Sequence, residues 1–438
     1  MQEWSEQLRH GRPNRQREQR IADVLGKATV DDPDAWLKSS KTLIALTSSR
    51  LGHRSEIHWH VCRFLSRSIL DCRRRDAILL VASGSAIEPW AIRAAELFDA
   101  PVVRIAVASE KSSNQRCEKT HAEISIGSEE QSLSRDQILL EIADRIDAVH
   151  VRRGGRISAA LRSRMLRSND ASIRVAIPPA SVSKSLKSDA AALVQAGAVG
   201  WFDFSIDSEK IAAESSTSST SSEEFSFQTD ASWATQSGQW LIHCTRAPTG
   251  PWPDQTINQY RDSMILGDRS VLNRQPLDSL QQILRSGRLV ASSVATSKNY
   301  PVVCLTENTL SLTLSQRCFR PHLGRWDYEP FGVAIRRSAA TAMGCQPVIY
   351  GQPAMKTKLK PDDRFRFHPV GKTYDWRKER EWRCPGSLDL QAIPSEDLHV
   401  FALRSNEAEN QLADSPVPVT WIDRKKNVQN LHTPCQYS

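Results

Sequence analysis

Residues 42–47 read TLIALT and residues 77–82 read AILLVA, and these two runs decide the expected fold of the first half of the chain. Each run is apolar and as long as a strand, which is typical of strands buried on both faces. Helical spacing of apolar residues follows the runs at 56–70 and 88–98, and further strands are predicted at 102–107, 148–151, 173–177 and 198–202. Strands alternating with helices predict an α/β domain with a doubly wound parallel sheet, which is a Rossmann-like fold.

A run of eight Ser and Thr residues, SSTSSTSS at 215–222, marks the clearest boundary in the chain. Such a run has no apolar side chain to bury, so burial cannot offset the entropy lost on ordering, and a linker is predicted. The length of 438 residues also exceeds that of one ordinary domain. We predict a polar N-terminal extension, a Rossmann-like nucleotide-binding domain, a Ser/Thr-rich linker, a second domain and a C-terminal tail, at 1–40, 41–204, 205–232, 233–410 and 411–438.

The composition of the chain limits its partners and its location. The net charge of +8 permits contact with a nucleic acid or a nucleotide phosphate but does not require it. No apolar stretch is long enough for a membrane helix and no signal peptide is visible, so we expect a cytoplasmic protein with no membrane partner. The composition does not indicate an oligomeric state.

The cysteines and histidines do not indicate a metal site. Nine scattered cysteines without a C-x-x-C pair argue against a disulfide framework and against a zinc ribbon. His53, His58, His60 and Cys62 lie close together in sequence, but helical spacing places His58 away from the stripe shared by His53 and His60. No metal is therefore expected.

Three turns of the first domain carry residues suited to binding an anion. Ser48 follows the first strand, Ser83 and Gly84 follow the second, and Arg153 lies in RRGGR at 152–156. Hydroxyl residues and glycines before a helix let backbone N–H groups approach a phosphate, and ligands of such sheets bind at the carboxyl ends of the strands. These segments match neither G-x-G-x-x-G nor the P-loop pattern, so ordinary strand-to-helix turns are the alternative interpretation.

The order of elements over roughly residues 40–205 resembles the SLOG superfamily, whose Rossmann-like domains bind or sense nucleotides. The resemblance implies a nucleotide ligand at the three turns.

The second half of the chain has shorter strands and fewer helices. Strands are predicted at 239–246, 301–307, 332–335, 348–350 and 399–403, with a helix at 277–284, which together indicate an α+β domain. His243 lies within the first of these strands. Glu379 and Glu381 would share one face if their segment were a strand. A structural histidine and a solvated ladder of opposite charges are the alternative interpretations.

Three motifs occur in the order LIHCT at 241–245, a leucine-patterned helix ending at Gly287, and EWRCP at 381–385. Over 238–410 this order resembles the ADP-ribosyltransferase fold, in particular the DNA-modifying toxins and abortive-infection proteins. The resemblance implies NAD as the substrate and Glu381 as the catalytic carboxylate, with Glu379 helping to activate the acceptor. It implies NAD-binding roles for four residues, namely His243, Thr245, Tyr300 and Tyr350.

Two features of the resemblance stay open. Tyr328 is a third candidate for the tyrosine that would stack on nicotinamide. The segment PVVCLTENTL at 301–310 does not reproduce the arginine and asparagine of the family's nicotinamide-binding segment.

The chemistry of NAD cleavage explains why a carboxylate would be needed. Breaking the nicotinamide–ribose bond develops positive charge on the ribose, which a fixed carboxylate stabilises. The expected function is an NAD-dependent ADP-ribosyltransferase or NAD glycohydrolase, regulated by a nucleotide-sensing first domain and suited to prokaryotic phage defence. The acceptor stays open among a DNA base, RNA, a protein side chain and water. The alternative is a non-catalytic protein with a decayed transferase fold that binds nucleotides or partners.

Overall fold

The structure is a computed structural model of the 438-residue chain. It describes residues 15–25, 29–32, 36–52, 55–107, 122–127, 134–167, 172–178, 188–202, 225–227, 231–248, 250–296, 299–320, 325–371 and 375–424. These residues form two compact units. The first unit holds the described residues up to 202 together with 250–273, and the second holds 225–248 and the residues from 274 onward.

The first unit is built on an eight-stranded sheet. Its strands, in chain order, are β1 Thr29–Asp31, β2 Leu43–Ser48, β3 Ile78–Ala82, β4 Val102–Val107, β5 Ala122–Gly127, β6 Arg145–His150, β7 Ile173–Ile177 and β8 Val199–Phe202. The strand order is β1-β5-β4-β3-β2-β6-β7-β8, and every pairing is parallel except that of β1 with β5. From β4 to β8 this is the strand order of the Rossmann fold, so the doubly wound sheet is confirmed.

Helices cover both faces of this sheet, and the core is therefore split into two apolar clusters. The helices are α1 Arg15–Leu25, α2 Ser55–Arg74, α3 Glu88–Phe98, α4 Arg135–Ile142, α5 Arg156–Arg167, α6 Ala190–Gln195 and α7 Ile257–Leu266. The central strands β2, β3 and β6 are buried along their whole length, which explains the nearly continuous apolar sequence of β2 and β3. In β6, the buried Arg145 and Asp147 pair with each other.

Asp144 joins the N-terminal segment to the sheet. Its carboxylate accepts hydrogen bonds from the backbone N–H of Leu43 at 2.9 Å and from the guanidinium groups of Arg17 and Arg20 in α1. Arg17 is buried. Part of the segment predicted as a polar extension is thus a helix of the first unit. The helix α4 ends at Ile142, shortly before Asp144.

The segment 250–273, which the sequence places in the second domain, packs within the first unit. In α7 the side chains of Tyr260, Met264 and Ile265 are buried in the cluster that contains α2 and α3. The Arg63 guanidinium donates to the carbonyls of Met264 and Ile265 at 2.6 and 2.7 Å, and Arg93 forms a bidentate ion pair with Asp262. The chain therefore returns to the first unit after residues 231–248 of the second unit.

The second unit has an α+β architecture. Its strands are β9 Phe225–Phe227, β10 Trp240–Cys244, β11 Arg288–Leu289, β12 Val302–Thr306, β13 Cys318–Arg320, β14 Arg325–Asp327, β15 Phe331–Arg336, β16 Gln346–Pro347, β17 Ile349–Gly351, β18 Phe367–Pro369, β19 Glu381–Pro385, β20 Leu388–Asp389, β21 Leu398–Leu403 and β22 Val419–Arg424. Its helices are α8 Pro276–Ser286, α9 Leu310–Ser315, α10 Arg337–Ala342, α11 Met355–Lys358 and α12 Asn406–Gln411.

Eight strands form the main sheet of the second unit in the order β16-β19-β12-β10-β15-β21-β22-β9. All neighbours are antiparallel except β21 and β22. β9 lies in the segment predicted as a linker, and β22 lies in the segment predicted as a tail. The Ser/Thr run at 215–222 lies outside the described residues.

Candidate functional site

The second unit contains a cavity of about 660 Å³. It is bordered by residues of β10, β12, β14 and β19, which belong to segments far apart in the sequence. The polar and aromatic side chains at its wall are His243, Arg246, Ser292, Thr306, Arg320, Asp327, Tyr328, His368, Trp376, Glu379, Glu381 and Arg383. This is the volume of a small-molecule pocket, and three of the predicted site residues border it: His243, Glu379 and Glu381.

The half-buried imidazole of His243 is held in one orientation. Its Nδ1 lies 2.9 Å from the carbonyl oxygen of Cys304 in the neighbouring strand. Because a carbonyl only accepts hydrogen bonds, Nδ1 carries the proton. Burial lowers the pKa of His243, partly offset by this hydrogen bond, so the ring is neutral at pH 7 and Nε2 is an acceptor. Such a nitrogen can accept a hydrogen bond from a ligand hydroxyl group.

A glycine lets the neighbouring strand approach His243. Gly332 of β15 faces Cys244 in the antiparallel pairing. A Cβ at this position would lie 2.0 Å from the His243 carbonyl oxygen, closer than any side chain can stand. Only glycine therefore allows β15 to approach β10 here, which fixes the strand that carries His243.

The carboxylate of Glu381 is fixed by Arg383 two residues further along β19. The guanidinium donates to both carboxylate oxygens, at 2.9 and 3.2 Å. Arg383 is fully buried, and it also donates to the carbonyls of Phe365 and Phe367 at 3.1 and 3.0 Å. This bidentate pair gives Glu381 a defined position at the cavity wall.

Glu379 has a different environment although it lies only two residues away. It ends a short 3-10 helix, Trp376–Glu379, and is not part of β19. Burial raises the pKa of Glu379, the nearby charges of Glu381 and Asp327 raise it further, and a hydrogen bond from Tyr328 and the charge of Arg320 oppose the rise. A carboxyl group with a raised pKa is suited to accept and release a proton.

The expectation of a shared strand face for Glu379 and Glu381 is wrong. Arg380, between them, has φ +45° and so adopts the left-handed conformation, and β19 begins only at Glu381. Both glutamates border the cavity because the backbone turns at Arg380.

The predicted tyrosines and Thr245 differ in whether they border the cavity. Tyr328 borders the cavity, whereas Tyr300, Tyr350 and Thr245 are not among its lining residues. Thr245 is buried, and its hydroxyl contacts the carbonyl oxygens of Pro276 and Phe331 at 2.9 and 3.2 Å, so it joins β10 to its neighbours. Burial raises the pKa of the Tyr350 hydroxyl, so that group stays protonated.

Sequence reasoning did not single out Arg246 and Arg320, which also border the cavity. Arg320 pairs with Asp327 at 2.9 Å, and Arg246 lies 3.8 Å from the same carboxylate. Arg246 is about half exposed, so its charge is available to an anionic ligand. In the sequence, only the position of Arg246 shortly after His243 could have indicated a role at the site. A single arginine in a loop forms no pattern that predicts binding.

The first unit places two of its predicted residues at the point where the strand order reverses. Ser48 ends β2, and Arg153 follows the adjacent strand β6. Arg153 is exposed. The Ser49 hydroxyl accepts a hydrogen bond from the Arg152 N–H at 3.1 Å, which ties these two turns together. In open α/β sheets this reversal point is where ligands bind.

The turn after β3 is already occupied by a side chain of the protein. The N–H of Gly84 donates to the carboxylate of Glu88 at 2.6 Å, and Arg104 pairs with the same carboxylate. Gly84 has φ +70°, and a Cβ there would lie 2.6 Å from a guanidinium nitrogen of Arg135. The Arg104 guanidinium also donates to the Ser83 hydroxyl at 2.9 Å. The predicted phosphate contacts of Ser83 and Gly84 are therefore taken by internal partners.

Within the described residues, no group of three or more His, Cys, Asp or Glu side chains could hold a metal ion. His58 lies on α2, where its Nε2 is 3.1 Å from the carbonyl of Gly52, and His53 lies outside the described residues. In the part of the chain that the structure covers, no helix is long and apolar enough to cross a membrane.

Comparison with known proteins adds little to this geometry. No protein-family model and no curated protein matches the sequence. Two solved structures are similar at low scores. DNA processing protein A (DprA) from Streptococcus pneumoniae is 12% identical, with 42% of this chain and 74% of that chain covered and a TM-score of 0.27. The molybdenum cofactor carrier protein from Chlamydomonas reinhardtii is 15% identical, with 37% and 89% covered and a TM-score of 0.25.

The Rossmann-like character of the first unit therefore rests on its own strand order. Neither similar structure is described as an ADP-ribosyltransferase. The resemblance of the second unit to that fold stays a prediction.

Proposed function

We propose that the second unit binds NAD and cleaves its nicotinamide–ribose bond, as an ADP-ribosyltransferase or an NAD glycohydrolase. The observation that carries the proposal is the shared cavity of His243, Glu379 and Glu381. These residues come from motifs that are more than 130 positions apart in the sequence.

The roles follow from the chemistry of each side chain. Glu381, fixed by Arg383, would stabilise the positive charge that develops on the ribose. His243 would accept a hydrogen bond from a ribose hydroxyl through Nε2. Glu379, whose pKa is raised by burial, would accept the proton of the attacking acceptor. Tyr328 replaces Tyr300 and Tyr350 as our candidate for the ring that contacts nicotinamide, because it borders the cavity.

We propose further that the first unit binds a phosphate-bearing nucleotide and regulates the second. The site would lie at the ends of β2 and β6, with Ser48 and Arg153 as contacts. It would not involve the turn of Ser83 and Gly84, because Glu88 occupies the N–H of Gly84. A role in phage defence stays a prediction from the resemblance.

The alternative is a non-catalytic protein, and the Glu381–Arg383 pair favours it. Both carboxylate oxygens already accept hydrogen bonds from a fully buried guanidinium. A purely structural ion pair would have the same geometry.

Release of nicotinamide by the full-length protein tests the proposal. Glu381→Gln keeps the shape and polarity of the side chain but removes its charge, so turnover should fall by about 100-fold or more with little change in NAD affinity. Glu409→Gln is the matched control, because it removes an exposed carboxylate of the same unit that pairs with Arg404.

Two outcomes would count against the proposal. An active wild type that loses nothing on Glu381→Gln removes that residue from the mechanism. A wild type that neither binds nor consumes NAD, with nucleotides and candidate acceptors supplied, supports the non-catalytic alternative.

A further inference from the structure

Three consecutive residues at the end of β12 hold three consecutive residues before β19. The Thr306 hydroxyl donates to the carbonyl of Glu379 at 2.6 Å, and the Asn308 amide donates to the carbonyl of Lys378 at 2.9 Å. Between them, the backbone N–H of Glu307 donates to the carbonyl of Arg380 at 3.1 Å. We call residues 306–308 the carbonyl clamp.

The backbone that this clamp holds is strained. Arg380 is not glycine, yet its φ is +45°, a conformation that costs about 1–2 kcal/mol for a residue with a side chain. Such a conformation persists only where surrounding contacts enforce it. Here the Arg380 guanidinium also pairs with the carboxylate of Glu307 at 2.9 Å, and Arg337 pairs with the other oxygen of that carboxylate.

The clamp residues are themselves fixed. Thr306 and Asn308 are buried, and the Thr306 hydroxyl accepts a hydrogen bond from the Asn308 N–H at 3.1 Å. Thr306 also pairs with Glu381 in the sheet. The end of β12 therefore positions the backbone of both glutamates at the cavity. The carbonyl clamp thus sets the distance between Glu379 and Glu381.

We propose that Thr306 and Asn308 are positioning residues, which hold the turn at Lys378–Arg380 so that the carboxyl group of Glu379 stays inside the cavity beside Glu381. Their catalytic consequence rests on the proposed function, whereas their effect on the position of Glu379 does not. Without the clamp, the turn would relax and Glu379 would move toward solvent.

The pKa of Glu379 shows whether its carboxyl group lies inside the cavity or in water. The charged and titratable groups that face it are Glu381 on β19, Asp327 on β14, Tyr328 after β14 and Arg320 on β13. Burial and the two carboxylates raise its pKa, against the opposing effects of Tyr328 and Arg320. If the carboxyl group moves into water, all four contacts weaken and its pKa should fall toward the ordinary glutamate value of about 4.3.

The decisive measurement is the pKa of Glu379 in the full-length protein, taken from carboxyl ¹³C NMR of glutamate-labelled samples and assigned with Glu379→Gln. Thr306→Val removes the hydroxyl with little change in volume, and Asn308→Ala removes the amide. Each should lower the pKa toward the ordinary glutamate value. Thr306→Ser keeps the hydroxyl and should retain the wild-type pKa.

The matched control is Thr313→Val. Thr313 is another buried threonine of the second unit, and its hydroxyl donates to the carbonyl of Thr309 at 2.9 Å, within α9. Thr313→Val should leave the pKa of Glu379 unchanged. If Asn308→Ala or Thr306→Val does not fold, Arg380→Val at this exposed position disfavours the left-handed turn, because a β-branched residue rarely adopts a positive φ, and it should lower the pKa in the same way.

Nicotinamide release provides the second measurement. In Asn308→Ala, kcat should fall about 10-fold with KM within about 2-fold of wild type, because Asn308 is not among the residues that border the cavity and the change acts through Glu379. Folded Thr306→Val and Asn308→Ala proteins with a wild-type pKa for Glu379 would overturn the clamp. A wild type without NAD turnover would instead count against the proposed function, because the pKa measurement needs no activity.

Discussion

Each of the two units has a carboxylate paired with an arginine at a predicted binding segment, but the two pairs differ in burial. In the first unit, Glu88 pairs with Arg104 at 2.6 Å, and the Arg104 side chain is 26% exposed. In the second unit, Glu381 pairs with Arg383, whose side chain is 0% exposed. Glu88 closes its turn by accepting the N–H of Gly84, whereas Glu381 borders an open cavity.

The difference shows that a turn with suitable residues can be filled by the protein's own side chains or can stay open to a ligand. At the end of β3, the glycine, the acceptor and the arginine lie close together, and the local polar groups satisfy each other. Around the cavity, polar groups are also paired, as Glu381 is with Arg383, but they lie on strands from several segments of the chain and border an open space. A turn with suitable residues is therefore a site only where its own side chains leave space for a ligand.

The largest expected effect concerns the buried pair. Arg383→Met leaves the carboxylate of Glu381 and two backbone carbonyls without their donor, so the free energy of unfolding should fall by about 3–5 kcal/mol. Urea denaturation of the full-length protein measures this. Arg404→Met breaks the exposed pairs with Glu409 and Asp423 and should cost less than about 1 kcal/mol. Equal losses in the two variants would contradict the role of burial.

A second prediction concerns pH and a histidine near the turn after β6. Burial, with a smaller effect of Arg152, lowers the pKa of His150 to about 4. The unfolded chain binds a proton near pH 6.5 and the folded protein does not, so stability should fall as the pH drops from 6.5 toward 4. The expected loss between pH 7 and pH 5 is about 2 kcal/mol, smaller than that for Arg383→Met.

The control for this loss is His150→Phe, which removes the titration while keeping an aromatic ring. Urea denaturation at pH 7 and pH 5 should show a smaller pH dependence in the variant than in the wild type. Equal dependence in both proteins would remove His150 as the cause.

The smallest expected effect compares the two turns of the first unit. Arg153→Ala should weaken nucleotide binding about 10-fold, the usual effect of losing a charge-assisted hydrogen bond. Glu88→Gln should leave the affinity unchanged, because its turn is not part of the proposed site. Calorimetry with adenine and guanine nucleotides measures both. A wild type that binds no member of this panel contradicts nucleotide binding, and a loss only in Glu88→Gln would move the site to the turn after β3.

Local sequence determined much of the first unit. The runs at 42–47 and 77–82 predicted β2 and β3, and Glu88–Phe98 and Val102–Val107 were predicted with the bounds that the structure gives. These elements are readable because a strand buried on both faces needs a continuous apolar run, and a helix against a sheet needs apolar residues at helical spacing. The prediction did not include β5 or α1. β5 is attached by its pairing with β4 and β1, and α1 by the distant carboxylate of Asp144.

Sequence also indicated His243, Glu379 and Glu381 as candidates, but only the tertiary structure decided that they share a cavity. Their meeting depends on the pairing of β10 and β19 with β12 and on the left-handed turn at Arg380, which no local pattern predicts. Tertiary structure also placed α7 in the first unit, because its apolar face is buried by α2 and α3. Local propensity fixes which segments form helices and strands. Long-range contacts decide which side chains meet, since each of those contacts involves residues that are distant in the sequence.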